Sequence, residues 1–583
     1  MSEETAPQRV AIGISFGNSY SSIAYTTGVG PRWTMFEAHE GKAEVIANEE
    51  GDRQIPTILS YVSGEEFHGA QAKAQLVRNS KNTVAYFRDF LGKDFKSIDP
   101  TPCHQSAHPK EHESTIAFTI KDTEEDVENT RTISEITTRH LRRLKNSASD
   151  YLGKTVNAAV ITVPTNFTDS QKEALNKAAK DAEIEVLQFI HEPVSVVLAY
   201  DARPEAKVSD KIVVVADIGG TRSDVAVVAS RGGMYSILAT LHDYEVAGAQ
   251  LDQVLMDYFA KEFIKKHKTD PRQNDRSLAK LKLESEAVKK ALSIGQSANF
   301  SVESLADGID FTATVNRTRY ELLANKQIAS LTRLITHVVE KAELDVLDID
   351  EIILAGGSSH TPKIARSVQS AFPESTTVLA PSTSATAINP SELSVRGAAI
   401  QASLIQEFET EDIEQSTHAM VTLAPHLSKA IGVLCISESA EHGVFRPLID
   451  AETPVPVRRT AQIATPREGG DVLVKICEGI REIKVEKPEP KPKENGNKEG
   501  SEEDDDSDID SDEEPEEVRS KVWKAGTPIA EAALKGVKKG AKVEVQINVD
   551  ADLGVQVVIR EVGGKGGVRG NVGKPAASQN GSA

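Results

Sequence analysis

The feature that most constrains this chain is a glycine hairpin that occurs twice. Val10-Ala-Ile-Gly-Ile-Ser-Phe-Gly-Asn-Ser-Tyr-Ser-Ser-Ile-Ala24 reads as an apolar strand, a tight turn at Gly17-Asn18-Ser19 and a second strand starting near Tyr20. The design returns in Ile212-Val-Val-Val-Ala-Asp-Ile-Gly-Gly-Thr-Arg-Ser-Asp-Val-Ala-Val-Val228, with its turn at Gly219-Gly220-Thr221. Each copy has a polar residue, Ser15 or Asp217, just before the turn. Glycine lets backbone approach a ligand, and successive N–H groups in such a turn form a concavity for anions. Two such turns can grip one polyphosphate from both sides. One copy alone reads equally well as an ordinary hairpin; the repetition argues for a shared purpose.

Bulk properties narrow the function. At 583 residues the chain exceeds a single core, so two or more domains are expected. The twelve acids of residues 502–517 account for much of the formal charge of −21, and without them the body is still near −9. Such a body argues against a DNA- or RNA-binding surface as the main role. Cys103, Cys435 and Cys477 are too few and too scattered for a disulfide frame or a metal site, which suggests a reducing compartment. The first nine residues are polar and do not read as a targeting peptide. No apolar run reaches the roughly 20 residues of a membrane span. A cytoplasmic protein is expected.

From residue 8 to about 408, short apolar strands alternate with amphipathic helices, the α/β pattern. Val156–Val163, Val186–Ile190 and Glu351–Ala355 read as strands. Thr168-Asp-Ser-Gln171 is a capping box opening a helix, and Thr318-Arg-Tyr-Glu321 is read the same way for a long helix to about Ala342. Residues 409–419 are polar and acidic and read as a linker. Beyond it, Asp471–Glu478, Lys542–Asp550 and Gly554–Arg560 alternate with period two, which predicts a small β domain over 420–562. Residues 487–520 hold a Pro/Lys/Glu stretch and the acid run; they are expected to be a disordered insert, with Ser507 and Ser511 as weak modification candidates. Residues 563–583 are expected to be a flexible tail.

No P-loop is present: Ala148 stands where Ala148-Ser-Ala-Ser-Asp-Tyr-Leu-Gly153-Lys154-Thr155 would need its first glycine. Phosphates would therefore sit at the two hairpins. A nucleoside could rest against Gly356-Gly357-Ser358-Ser359-His360 and against Glu286, Lys289, Lys290 and Ser293, whose spacing places them on one helix face. Taken alone, that stripe is more often a solvated face.

These residues together resemble the nucleotide-binding domain of the seventy-kilodalton heat-shock protein family, which has the duplicated actin-like fold. Further matches are Gly51-Asp-Arg53 before Pro56, Gly69-Ala-Gln-Ala-Lys73, Ile161 to Gln171, His191-Glu-Pro193, and Asn389-Pro390 before Gly397-Ala-Ala399, in the family's order over about 390 residues. The β domain is similar to the family's substrate-binding β-sandwich, with Val474 to Arg481 matching one of its strands. The resemblance implies ATP as ligand, with or without magnesium. It places the nucleotide against Gly17, Asn18, Ser19, Tyr20, Lys73, Glu192, Asp217, Gly219, Gly220, Thr221, Arg222, Glu286, Lys289, Lys290, Ser293, Gly356, Gly357, Ser358 and His360. Lys73, Glu192, Asp217 and Asp224 match catalytic and metal-shell positions; Asp217 would meet a metal through water.

The departures point away from turnover. The family has an aspartate where this chain has Ser15, a pair of threonines where it has Asn18-Ser19, and a threonine where it has Arg222. The resemblance thus implies one carboxylate lost and one guanidinium gained, a residue type that can contact phosphate directly. Hydrolysis needs a positioned water and metal, so ATP binding with little or no hydrolysis is expected, and no catalytic residue is assigned. A docking linker and a helical lid after the β domain are also expected to be missing; Phe408 and Ile413 alone offer apolar surface in the linker. This pattern of losses resembles the branch of the family found in fungal ribosome-associated complexes. That likeness implies a stable heterodimer with a J-domain protein resembling zuotin. It further implies contact with ribosomes and nascent chains through the pair, stimulation of a separate conventional chaperone of the family, and no membrane or direct DNA binding. The competing readings are a working client-binding chaperone ATPase, a small-molecule kinase of the same ancestral fold, and a scaffold that has lost ATP.

Overall fold

The computed structural model describes residues 9–27, 42–125, 127–203, 206, 209–409, 411–413, 427–437, 440–465, 468–486, 518–564 and 566–572. The chain divides into two compact units, Met1–Thr422 and Leu423–Ala583.

The first unit contains the same sheet twice. In one, the strand order is Glu185–His191, Ala158–Val163, Ala11–Phe16, Tyr20–Thr27, Lys42–Ile46. In the other it is Thr377–Leu379, Glu351–Ala355, Lys211–Ile218, Ser223–Arg231, Met234–Asp243. Each sheet begins with parallel strands and ends with antiparallel ones, the change falling at the first strand of a glycine hairpin. The central strands read as continuous apolar runs because helices cover both faces: all six residues of Ala158–Val163 are buried.

Two helices lie at the junction of the halves with their backbones almost touching. Glu192–Asp201 opens with Pro193 in its first turn, where the missing N–H costs nothing. It crosses Leu393–Ile405 so closely that a Cβ on Gly397 would lie 1.8 Å from the Ser195 carbonyl oxygen. A Cβ on Gly13, in the first hairpin strand, would lie 2.3 Å from the Ala399 nitrogen. These glycines allow one helix to rest on both the first hairpin and its neighbouring helix.

The helix Ile133–Leu152 backs the first hairpin. Thr132 and Glu135 form its capping box, and Gly153 closes it in the left-handed conformation. Its His140, 1% exposed, lies between Phe16 and Phe87. His140 Nε2 meets Ser21 Oγ at 2.9 Å, Ser21 Oγ meets Thr57 Oγ1 at 2.9 Å, and Thr57 Oγ1 donates to the Gly17 carbonyl at 2.8 Å. A buried chain of polar contacts therefore runs from the helix to the hairpin turn.

Some sequence boundaries move. The long helix expected from a Thr318 cap is two helices, Arg317–Leu323 and Asn325–Lys341. Asn316 caps the first by accepting from the Arg319 amide at 2.8 Å. Of the linker expected over 409–419, positions 410 and 414–419 lie outside the described residues. Ile413 is buried with Val160, Leu187, Ile190 and Ile405, Phe408 packs against the same group, and Arg9 Nη1 donates to the Phe408 carbonyl at 2.6 Å. Apolar burial thus ties this segment to the first sheet despite its acidic sequence.

The second unit has two four-stranded sheets. One has the order Ala440–Ile449, Ala430–Ser437, Gly470–Glu486, Val518–Val537; the other Val457–Ala464, Lys542–Val549, Val555–Glu561, Gly567–Val572. Ile431, Val433, Val474 and Ile476 share a core with Val545, Ile547, Val557 and Ile559. Lys542–Val549 alternates buried and open positions, as its period-two pattern requires. Residues 487–517, with Ser507 and Ser511, lie outside the described residues, while 518–520 belong to a strand whose Val518 is the register partner of Glu486. The tail expected from 563 also begins with order: Gly567–Val572 pairs with Val555–Glu561. Its first five residues are exposed, so this edge strand forms by backbone pairing and carries no side-chain period that a sequence could display.

Burial pushes His140 down to about 3, so the folded protein keeps it neutral while an unfolded chain binds a proton near pH 6.5. Stability is therefore fully present above about pH 6.5 and declines as pH falls toward about 3. Thermal unfolding between pH 7.5 and pH 5 should show a steeper acid decline for the wild type than for His140→Gln. Gly397→Ala should lower unfolding free energy by roughly 1–3 kcal/mol, measured by denaturant titration, because two backbones have to separate.

Candidate functional site

The two hairpin turns meet. Asn18 Nδ2 donates to Thr221 Oγ1 at 3.0 Å, and a Cβ on Gly220 would lie 2.5 Å from Ser19 Oγ. Gly219 is held from the rear: its carbonyl accepts from the Gly248 amide at 2.9 Å and from Ser358 Oγ at 3.1 Å. Gly356 has φ +80°, and a Cβ there would lie 2.3 Å from Asp217 Oδ1. Glycine at 356 thus lets the end of strand Glu351–Ala355 close on the second hairpin. Gly357 opens the short helical turn Gly357–His360, and His360 Nε2 is bonded to Asn389 Oδ1 at 3.1 Å. Ser358 braces the Gly219 backbone, and His360 braces the side chains of Asn389 and Ser391.

The helix stripe divides into two groups. Glu286 Oε2 accepts from Lys73 Nζ at 2.7 Å, and Glu286 Oε1 accepts from Tyr20 OH at 2.5 Å. Lys73 Nζ and Lys290 Nζ both donate to Tyr20 OH, at 2.6 and 2.7 Å. Lys289, by contrast, is buried against Asp252 Oδ1 at 2.8 Å and the Gly248 carbonyl at 3.1 Å. Ser293 Oγ returns to the Lys289 carbonyl at 3.3 Å. Glu286 and Lys290 thus join Tyr20 and Lys73, while Lys289 and Ser293 bond within their own half. Burial works to raise the Glu286 carboxyl, but Lys73, Lys290 and Lys289 outweigh it and hold it well below the usual range. Burial lowers Lys73, and Glu286 offsets only part of that.

The inner carboxylates surround two arginines. Arg222, 5% exposed, forks onto Asp224, with Nε to Oδ2 at 2.6 Å and Nη2 to Oδ1 at 2.6 Å. Its Nη1 donates to Tyr244 OH at 2.9 Å and its Nη2 to Asn166 Oδ1 at 3.2 Å. Most of the Arg222 donors are thus taken by the protein. His242 Nδ1 joins Asp224 Oδ1 at 2.5 Å. Burial would raise Asp224, yet Arg222 and His242 hold it below its ordinary value. Arg88 is buried between Asp89, with Nε to Oδ1 at 2.8 Å, and Glu192, with Nη1 to Oε1 at 3.3 Å. Glu192 is raised, chiefly by burial. Asp217 is pushed up to about 8 by burial and by the negative charges of Glu192 and Asp224. Ser15 sits in register with Thr162 and Ser22 and adds no charge.

Sequence reading missed Arg88, Asp89, Asn166, His242, Tyr244 and Asp252. A signal existed for some. Arg88-Asp89 is an opposite-charge pair inside an apolar run, flanked by Phe87 and Phe90. Arg222 and Asp224 are two apart where a strand begins, a spacing that puts both on one face. Nothing in the sequence joins Tyr20 to Glu286. Among the described residues, no group of three or more His, Cys, Asp or Glu side chains has the geometry of a metal site.

A doubled hairpin sheet with facing glycine turns and charged groups gathered between them defines a class. Residues 11–488 match the family described as Hsp70 protein, and the chain belongs to that family. Its α/β sheets are those of an actin-like ATPase domain, and members of the family bind ATP with magnesium. Within the family, the chain is 44% identical over 570 residues to a heat shock protein 70 homologue of Schizosaccharomyces pombe, covering 97% of this chain and 96% of that one. It is 42% identical over 564 residues to ribosome-associated complex subunit SSZ1 of Saccharomyces cerevisiae, covering 96% and 99%. It is 30% identical over 491 residues to heat shock 70 kDa protein 14 of Danio rerio, covering 82% and 91%.

Arg222→Ala should cost roughly 3–5 kcal/mol of stability, because it strands a buried carboxylate; Arg222→Lys should recover only part, since an ammonium cannot fork. Urea unfolding of the two variants measures both.

Proposed function

We propose that this protein is an ATP-binding, hydrolysis-deficient co-chaperone of the Hsp70 family that pairs stably with a J-domain protein on the ribosome. The observation that carries the first half is the Arg222–Asp224 fork, together with serine at position 15. A carboxylate with both oxygens committed to a guanidinium is poorly placed to take a proton or orient a water, and serine at 15 supplies no second acid. Binding asks for less. Backbone N–H groups of Gly17 to Ser19 and of Gly220 and Thr221 lie in two turns that meet, and are suited to a polyphosphate. Gly356 and Gly357 leave the next strand end bare for a nucleoside, with Glu286 and Lys290 on the facing helix. When bound, ATP supplies negative charge that Lys73 can meet once it is released from Glu286.

The second half rests on likeness. SSZ1, a relative aligned along nearly its whole length, is a subunit of a ribosome-associated complex. On that basis the chain is a cytoplasmic, ribosome-associated partner of a zuotin-like J-domain protein. It assists nascent chains by stimulating a conventional chaperone of the family. Its second unit is read as the family's β-sandwich, suited to an extended segment of a partner or a nascent chain. Among the described residues no helix is long and apolar enough to cross a membrane.

Single-turnover ATPase measurements on the purified chain, alone and with a J-domain protein, should show ATP bound and unhydrolysed over an hour, and size exclusion should show one stable heterodimer. Turnover stimulated by the J-domain would instead identify an active client-binding chaperone, and absence of bound nucleotide would identify a scaffold.

A further inference from the structure

A hydrated divalent cation is held by oxygen acceptors that are open to it or to its waters. Around these hairpins Asp224 is fully committed elsewhere, and Glu192 and Asp89 each give one oxygen to a guanidinium. Asp224 gives both oxygens to Arg222, at 2.6 Å each, and shares Oδ1 with His242. Glu192 Oε1 accepts from Arg88 at 3.3 Å, and Asp89 Oδ1 accepts from the same guanidinium at 2.8 Å. Position 15 has only a hydroxyl. Asp217 is the one acid of this group with no guanidinium within hydrogen-bond distance among the described residues, and one carboxylate free of arginine is a thin shell for a cation that keeps most of its water. The residues present therefore do not fit the magnesium that the family implies. The positive charge a metal would bring is already built in, as two buried guanidiniums fixed by their own carboxylates.

We propose that Arg88 and Arg222 stand in for the divalent cation, so that the nucleotide polyphosphate is held at the two hairpins without magnesium. Arg222 directly follows the Gly219–Thr221 turn, and its guanidinium is fixed there on Asp224, Tyr244 and Asn166. Arg88 Nη1 also donates to the Phe16 carbonyl at 3.2 Å, which fixes its charge beside the first hairpin. A guanidinium is always charged and is less strongly hydrated than an ammonium, so it survives burial next to a polyanion. The inference rests on the ATP-binding reading above and adds what that binding requires.

Isothermal titration of the full-length chain with ATP tests it, once in magnesium chloride and once in EDTA. The expected result is a Kd that differs by less than about fivefold between the two buffers. A loss of about fivefold or more in EDTA overturns the inference while leaving ATP binding standing. No binding in either buffer overturns the ATP-binding reading and the inference with it. In Arg222→Thr, magnesium should tighten binding by about tenfold or more over EDTA; an unchanged ratio would remove Arg222 from the role. If Arg222→Thr fails to unfold cooperatively, Arg222→Gln, whose amide can keep one bond to Asp224, takes its place with the same expected direction.

Discussion

The fork between Arg222 and Asp224 decides what the rest of the site can do. Charge-assisted forked pairs are among the stronger polar contacts a protein makes, and burial strengthens their electrostatics. With Arg222 fixed on Asp224, Tyr244 and Asn166, the second hairpin is tied to its own sheet and to residues of the first half. Asp217, with no guanidinium within hydrogen-bond distance among the described residues, is pushed up to about 8 by burial and by the negative charges of Glu192 and Asp224.

The scaffold explains why an arginine at this turn can be absorbed. Both hairpins are held by backbone: the Gly219 carbonyl by Gly248 and Ser358, the Gly17 carbonyl by Thr57, and the first strand by a helix that comes close only because Gly13 and Gly397 lack side chains. Phosphate recognition by backbone N–H groups survives changes in the side chains around it. Catalysis does not, because it depends on particular carboxylates and hydroxyls. A family member can lose turnover and keep a shaped nucleotide site. A second ring of contacts, Tyr20, Lys73, Glu286 and Lys290, joins strand Tyr20–Thr27 and helix Gly69–Gln75 to helix Asp275–Ile294.

The fold was legible wherever periodicity or turn chemistry expresses it. The two hairpins, the Thr168 capping box and the alternation in Lys542–Val549 are local consequences of local sequence. The edge strand Gly567–Val572 was not legible, because exposed side chains impose no pattern. The Asn316 cap was missed because Thr318-Arg-Tyr-Glu321 offers a competing box two residues later. In the site, the identity of most groups was readable but their pairing was not. Glu286 and Lys290, four apart on one helix, are neighbours on any helical wheel; Lys73 and Tyr20 reach them only through tertiary structure. The acidic character of the segment after residue 408 likewise hid the burial of Phe408 and Ile413.

The central claim is that two residue changes, at positions 15 and 222, separate a nucleotide holder from an enzyme. It is tested most directly by reversing both in one protein, Ser15→Asp with Arg222→Thr, and measuring single-turnover hydrolysis of bound ATP in magnesium. The account predicts a gain of about tenfold or more over the wild type, since an acid returns beside one hairpin and Asp224 is released beside the other. A doubly substituted protein that folds, binds ATP and hydrolyses it no faster than the wild type would contradict it.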